Sequence, residues 1–206
     1  MTDHRHSTRL RRGRRTWDLA AASYYGLLDL FGGRRLREMA LRQLELQPGE
    51  AFLDIGCGPG LMLVAARDVL GPKAKLVGVD YSPGMLRKAR RRVGQWSNVE
   101  LREADASRTP LGDGEFDAAV ALASFSAMPD VGAAVDLAHC ALRPGGRLFV
   151  FDVRPRRRLA RGIYRSTAGF SGADVLSEVR RVFDTIEVLI PERSALSMVL
   201  ATRTAS

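Results

Sequence analysis

Residues 53–60 read Leu-Asp-Ile-Gly-Cys-Gly-Pro-Gly. A short apolar run delivers a carboxylate, Asp54, and glycines then let the backbone approach a ligand closely before a helix starts. Twenty residues after Gly60, a second apolar run ends at Asp80. An acid at that position can accept hydrogen bonds from both hydroxyls of a ribose. A third acid, Asp105, follows the run at 99–104 and can accept from the exocyclic amine of a base. One glycine-rich turn, or one Asp after a strand, is ordinary turn or capping chemistry. Three acids at three successive strand ends, in this order and spacing, describe an adenosine site.

The glycine spacing narrows the ligand. A dinucleotide site uses G-x-G-x-x-G, so that a helix N-terminus faces the pyrophosphate. Here the pattern is G-x-G-x-G, with Asp54 two residues ahead of the first glycine. A carboxylate there repels a pyrophosphate and suits an ammonium or sulfonium. That favours S-adenosylmethionine over NAD or ATP.

The elements that must position these residues follow from periodicity. Strands are predicted at 51–55, 75–80, 99–104, 116–121 and 147–153, with helices at 61–70, 82–93 and 130–142 between them. Ser82 serves as N-cap with Pro83 in the first turn. This β-α-β-α order predicts an α/β fold with a doubly wound, mostly parallel sheet of seven strands. A helix near 172–181 and strands at 183–190 and 195–201 would close it with a C-terminal antiparallel hairpin. Ahead of the sheet, Trp17, Ala20, Tyr24, Leu27, Leu28 and Phe31 form one helical stripe, and a second helix is expected at 34–46. Residues 1–15 are polar, Arg-rich and without periodicity, which reads as a flexible basic arm.

On these motifs the sequence resembles the class I S-adenosylmethionine-dependent methyltransferases, with their Rossmann-like fold. The resemblance rests on 53–60, on Val-Gly-Val-Asp-Tyr-Ser at 77–82 with Met85 and Leu86, on Asp105, on Glu115-Phe116-Asp117, and on Leu-Arg-Pro-Gly-Gly-Arg-Leu at 142–148. It implies one methyltransferase domain over 16–206, with 16–47 as a helical lid. It also implies that Gly56, Gly58 and Gly60 line the cofactor, with Cys57 between them as a small residue that fits. Asp80 would hold the ribose, Tyr81 and Met85 would flank the adenine, and Asp105 with Ala106 would meet its amine. The backbone from Ala121 to Ala123 would face the sulfonium, and Asp54 the methionyl part. Trp17-Asp18, Gly32-Gly33-Arg34-Arg35 and the segment 151–155 are similar to signatures of the quinone and phospholipid methyltransferase branch. Trp17 stands where that branch has Tyr, and Ser124 to Pro129 lacks the His or Arg-Asn often found there.

That resemblance implies transfer of a methyl group to a small or lipid-like hydrophobic acceptor, on N, O or C. A soluble natural-product methyltransferase, an RNA-binding or RNA-methylating protein and a non-methylating user of the sulfonium are the alternatives. Methyl transfer is an in-line displacement from an already activated leaving group, so alignment and exclusion of water matter most. Asp152 is the candidate carboxylate at the acceptor, and a cap or ion pair is its other reading. Tyr24 and Tyr25 are candidates to touch substrate; core packing is the other reading. His139, in mid-helix, reads as structural.

Composition bounds these readings. The chain has 206 residues, 46% hydrophobic and 27% charged, which suits one globular domain. Two cysteines, Cys57 and Cys140, without CxxC or Cys/His spacing, argue against a disulfide framework or a zinc site. No apolar run is long enough to span a bilayer, and the Arg-rich start lacks an apolar h-region, so a cytoplasmic protein is expected. The net charge of +9 is concentrated. Residues 1–15 carry six Arg against Asp3, and residues 154–165 carry six Arg and no acid. Few aromatics accompany these arginines, so nucleic acid is disfavoured as partner. An anionic membrane contacted peripherally through residues 1–31 fits better.

Each basic residue near an anionic leaflet contributes about 1 kcal/mol, decaying over roughly 10 Å. Deleting residues 1–15 is therefore expected to weaken binding to anionic vesicles by orders of magnitude at low salt. Binding to zwitterionic vesicles and to S-adenosylmethionine should not change. Co-sedimentation of intact and truncated proteins measures this, and equal indifference to anionic vesicles would make the arm a solvated tail.

Overall fold

A computed structural model describes Arg14, Asp18 and residues 33–153 and 173–204. The basic arm except Arg14, the stripe from Trp17 to Phe31 with Tyr24 and Tyr25, and the basic segment 154–165 lie outside the described residues. Arg14, assigned to the arm by its composition, is helical and pairs with Glu103.

The elements run α1 (Arg34–Leu44), β1 (Phe52–Ile55), α2 (Leu61–Leu70), β2 (Leu76–Asp80), α3 (Pro83–Val93), β3 (Val99–Glu103) and β4 (Phe116–Leu122). They continue with α4 (Val131–Ala141), β5 (Leu142–Val153), α5 (Val175–Val182), β6 (Thr185–Val188) and β7 (Leu196–Thr202). One seven-stranded sheet has the order β3-β2-β1-β4-β5-β7-β6. The first five strands are parallel, and β7 inserts antiparallel between β5 and β6. Chain order reverses between β1 and β4, so their carboxyl ends open the crevice where such sheets bind ligands.

Burial on both faces explains the apolar strands. Alternate residues divide between two cores. Leu53, Ile55, Val77, Val79, Ala119, Ala121, Leu148 and Val150 pack towards α4 and α5. Phe52, Leu76, Ala118, Val120 and Phe149 pack towards α1, α2 and α3. Local chemistry caps the helices. Ser82 Oγ accepts from Met85 N at 3.1 Å ahead of α3, and Asp130 Oδ1 accepts from Ala133 N at 3.1 Å ahead of α4.

β5 is longer than its apolar pattern predicts. It starts at Leu142, and the Pro144-Gly145-Gly146 turn lies inside it, where its pairing with β4 shifts register between Phe116 and Ala118. Gly145, at φ +81°, donates from N to Arg203 O at 2.7 Å, and Arg203 N returns a bond to Gly146 O at 2.9 Å. β7 thus pairs with a stretch that reads in isolation as a helix stop.

Asp117 ties the strand beginnings together. Its Oδ2 accepts from Ala51 N at 2.7 Å, ahead of β1, and Arg143 pairs with its other oxygen. Removing half of a charged hydrogen bond leaves the part-buried Ala51 amide without this partner. Asp117→Ala is expected to lower unfolding free energy by about 1.5–3 kcal/mol, read by urea titration. Nucleoside affinity should stay the same, because Asp117 lies at the opposite end of the strands from the crevice.

Candidate cofactor site

β1 hands the chain to the glycine loop at Gly56, whose φ is +74°. A Cβ there would stand 2.4 Å from Ser124 Cβ, so only glycine allows the loop after β4 to close against it. Ser124 Oγ donates to Ile55 O at 2.6 Å and holds the same approach from the other side. At the next position Cys57 is buried, and its sulfur covers Gly78 in β2, where a Cβ would come within 3.0 Å of it. Burial first, then the charges of Asp54 and Asp80, push the Cys57 thiol well up, so it stays neutral.

The parallel strands bring the acids to one edge. An open cleft lies there, at the carboxyl ends of the strands where sheets of this kind bind ligands. Of the residues singled out from sequence, Gly56, Asp80, Tyr81, Met85, Asp105 and Ala106 line it. Val79, Ala104, Ala123, Ser124, Ala127 and Met128 complete the wall. Sequence reasoning named the backbone at Ala123 but missed the other five as wall residues, because small or aliphatic side chains carry little chemical signal. Only the backbone turn after β4 brings four of the six to the cleft. Ala123 makes that turn at φ +52° and donates from N to Phe151 O at 2.6 Å.

Gly58, Gly60, Cys57, Asp54 and Ala121 are not in the wall. Gly58 N donates to Asp80 Oδ2 at 2.8 Å. Gly60 starts α2 at φ +79°, and a Cβ there would press on Ala89 of α3 at 3.2 Å. Ala121 is buried within β4, so the wall begins two residues later at Ala123.

Asp152 departs most from expectation. It is 0% exposed, and its Oδ2 accepts from Ser126 N at 2.9 Å. Oδ1 accepts from Ser126 Oγ and from Val153 N, the latter at 2.7 Å. Burial pushes its pKa up, and these donors oppose that shift. The carboxylate ties the end of β5 to the 3₁₀ turn Phe125–Ala127, which carries part of the cleft wall. Fully buried and absent from the cleft wall, the carboxylate holds this turn in place. His139 is structural, edge-on to Phe183 at 5.0 Å, and burial lowers its pKa.

Electrostatics distinguish the acids. Asp54 is 2% exposed, and burial, then repulsion from Asp80, raise its pKa to about 8 against the opposing charge of Arg37. Its Oδ2 is buried without a hydrogen-bond partner among the described residues. Asp80 is raised to about 6, by burial first, with donation from Ser82 N and Gly58 N pulling it back. Asp105 Oδ1 accepts from Ser107 N at 2.9 Å and Ser107 Oγ at 2.7 Å. The Tyr81 hydroxyl is also buried without a partner, and burial raises its pKa. Buried polar atoms are nearly always satisfied, so two orphans at one edge fit a site built around a ligand. A sulfonium or ammonium beside Asp54 and a ribose at Asp80 match these acceptors, which is the chemistry of S-adenosylmethionine. Among the described residues no cluster of His, Cys, Asp or Glu could hold a metal ion.

The methyltransferase domain family matches residues 52–146, a span that contains Asp54, Asp80 and Asp105. A 2-phytyl-1,4-naphtoquinone methyltransferase of Synechococcus elongatus is 31% identical over 152 residues, 70% of this chain and 65% of that protein. An arsenite methyltransferase of Halobacterium salinarum is 33% identical over 110 residues, 52% of this chain and 28% of that protein. The match thus spans 28% of one relative's length and 65% of the other's. The Haemonchus contortus phosphoethanolamine N-methyltransferase 2, solved with S-adenosyl-L-methionine, superposes with a TM-score of 0.69 at 15% identity, over 83% of this chain and 53% of that one. Residues 52–146 match the methyltransferase domain family, and in sheet order and glycine loop the chain resembles the class I S-adenosylmethionine-dependent methyltransferases.

Proposed function

We propose that this chain transfers a methyl group from S-adenosylmethionine to a small or lipid-like hydrophobic acceptor. The observation that carries the reading is the convergence of Asp80 and Asp105 on one cleft, with Asp54 at the end of β1 holding a buried Oδ2 that has no hydrogen-bond partner among the described residues. The bound cofactor supplies a methyl group on a cationic sulfur. The protein's residues bind and orient. Asp80 accepts from the ribose hydroxyls, Asp105 from the adenine amine, and Tyr81 and Met85 enclose the base. Ionised Asp54 faces the cationic methionyl end, directly or through water.

An apolar acceptor is supported by the wall on the β4 side, where Ala123, Ala127 and Met128 surround the lone hydroxyl of Ser124. One relative is named for a phytyl-substituted naphthoquinone, an acceptor of that character, and another for arsenite. Peripheral membrane contact through residues 1–31 would give a lipid-like acceptor a route to this wall. No helix among the described residues is long and apolar enough to cross a membrane. Incubation with S-adenosylmethionine and a panel of quinones, phenols and amines, followed by mass spectrometry, tests the reading. Absence of S-adenosylhomocysteine with every acceptor would overturn it.

Replacing Asp80 with Ala removes the acceptor for two hydroxyls. Affinity for S-adenosylmethionine is expected to fall by about 1.5–3 kcal/mol in calorimetry, and Asp105→Ala should cost less. Unchanged affinity in Asp80→Ala would remove Asp80 from the site.

Asp54 generates a pH dependence. The carboxyl ionises near 3.8 in the unfolded chain and near 8 in the fold. Between those values the native state binds more protons, so its stability is fully present below pH 4 and is lost as pH rises through 8. Asp54→Asn should flatten that fall and raise ligand-free stability at pH 8 by on the order of a few kcal/mol. The same change should weaken S-adenosylmethionine binding, which in the wild type strengthens with pH as Asp54 ionises. Urea titrations at pH 5 to 8 check the first statement and calorimetry the second. Coincident stability profiles for the two proteins would contradict the assignment.

A further inference from the structure

Asp18 reaches the far side of the cofactor turn. Its Oδ1 accepts from Ser82 Oγ at 2.6 Å and from Gly84 N at 2.8 Å. Ser82 in turn donates from N to Asp80 Oδ1 at 2.8 Å, and its Oγ caps α3 by accepting from Met85 N. One carboxylate outside the domain's sheet thus grips the turn that carries Asp80 and Tyr81 and the first turn of α3 that carries Met85. Gly84 is the seat for it. A Cβ on Gly84 would stand 2.7 Å from Asp18 Oδ1 and 3.2 Å from Asp18 Cα. Four residues earlier, Arg14 pairs with Glu103 at 2.5 Å, at the end of β3 and two residues ahead of Asp105. That pair is exposed at 45% and 41% and contributes little by itself. Of the two described contacts, that of Asp18 is the more buried.

We propose that Asp18 is a positioning residue for the adenosine half of the site. Seated on Ser82 and Gly84, it fixes the Asp80–Met85 turn in its binding geometry and couples docking of the N-terminal segment to cofactor binding. The proposal rests on the cofactor reading above. Coupling of this kind is reciprocal: if docking strengthens ligand binding, the ligand strengthens docking by the same factor.

Charge adds a second, separable effect. Asp80 is faced by Asp18 from the N-terminal segment, by Asp54 from β1, by the Cys57 thiol from the glycine loop and by the neighbouring Tyr81 hydroxyl. Asp18 therefore orders the turn through its hydrogen bonds while its charge resists ionisation of Asp80. Asparagine separates the two, since its amide oxygen can accept both hydrogens without the charge.

Calorimetric titration of the full chain with S-adenosylhomocysteine at pH 5 to 8 tests the proposal, with ligand-free thermal unfolding in parallel. Asp18→Ala and Gly84→Ala should each bind about tenfold more weakly, the loss of hydrogen bonds to a charged group. Gly84→Ala leaves Asp18 intact and favours the helix intrinsically, so its loss reports the blocked seat. Asp18→Asn should restore most of the affinity at pH 8, and its binding should persist to lower pH than that of the wild type. Ligand-free melting that falls while affinity holds in both Ala variants would leave Asp18 a purely structural cap and overturn the proposal. Asp18→Asn binding as weakly as Asp18→Ala would also overturn it. Failure of the wild type to bind S-adenosylhomocysteine would instead bring down the cofactor reading beneath it.

Discussion

Asp80 holds two turns at once. Its two oxygens accept from Gly58 N in the glycine loop and from Ser82 N in the turn into α3, both at 2.8 Å. The loop and the turn belong to successive β-α units, and nothing in their covalent connection keeps them adjacent. The parallel pairing of β1 with β2 brings their ends together, and the carboxylate then locks the two backbones. Every other part of the site is placed relative to that lock: the Gly56 approach to Ser124, the Tyr81 and Met85 side of the cleft, and the seat of Asp18.

The lock has an electrostatic cost. Asp54 and Asp80 are both buried, and the charge of Asp80 adds to burial in disfavouring ionisation of Asp54. A protein selected only for stability would place an apolar residue at position 54, because an unpartnered buried carboxyl contributes nothing to packing. The pair makes sense as preorganisation, with acceptors held where a cationic nucleoside presents its donors, and the repulsion relieved when positive charge arrives. A site for an anionic pyrophosphate has the opposite requirement, which is why the same fold class can divide its ligands by one carboxylate ahead of the glycines.

The β4 side of the cleft is held differently. There the wall is small and apolar, and its shape comes from backbone. Ala123 turns through a left-handed conformation, Ser124 ties to Ile55, and Ser126 ties to Asp152. Asp152 illustrates how position along a strand misleads. A carboxylate at the carboxyl end of a parallel strand looks available for chemistry, yet this one points into the protein and spends both oxygens on the loop beside it. Its contribution is rigidity of a wall that carries few polar groups of its own.

Much of this was legible in the residues alone. Apolar runs of four to seven residues alternating with helical periods require a parallel sheet with both faces covered, and the observed strands fall where those runs lie. The Ser82-Pro83 cap is local chemistry and appears where sequence places it. Asp80 and Asp105 could be placed on one cleft because the order of a parallel sheet puts every strand end on one edge. Tertiary structure decided what depends on partners distant in the chain. The Pro144-Gly145-Gly146 turn became part of β5 because Arg203 bonds across it. Asp152 became structural because Ser126 lies under it, and Gly84 is required small because Asp18 sits on it. Side-chain type and spacing state what a residue can do; burial and the partner brought by the fold determine which of those capacities remains free.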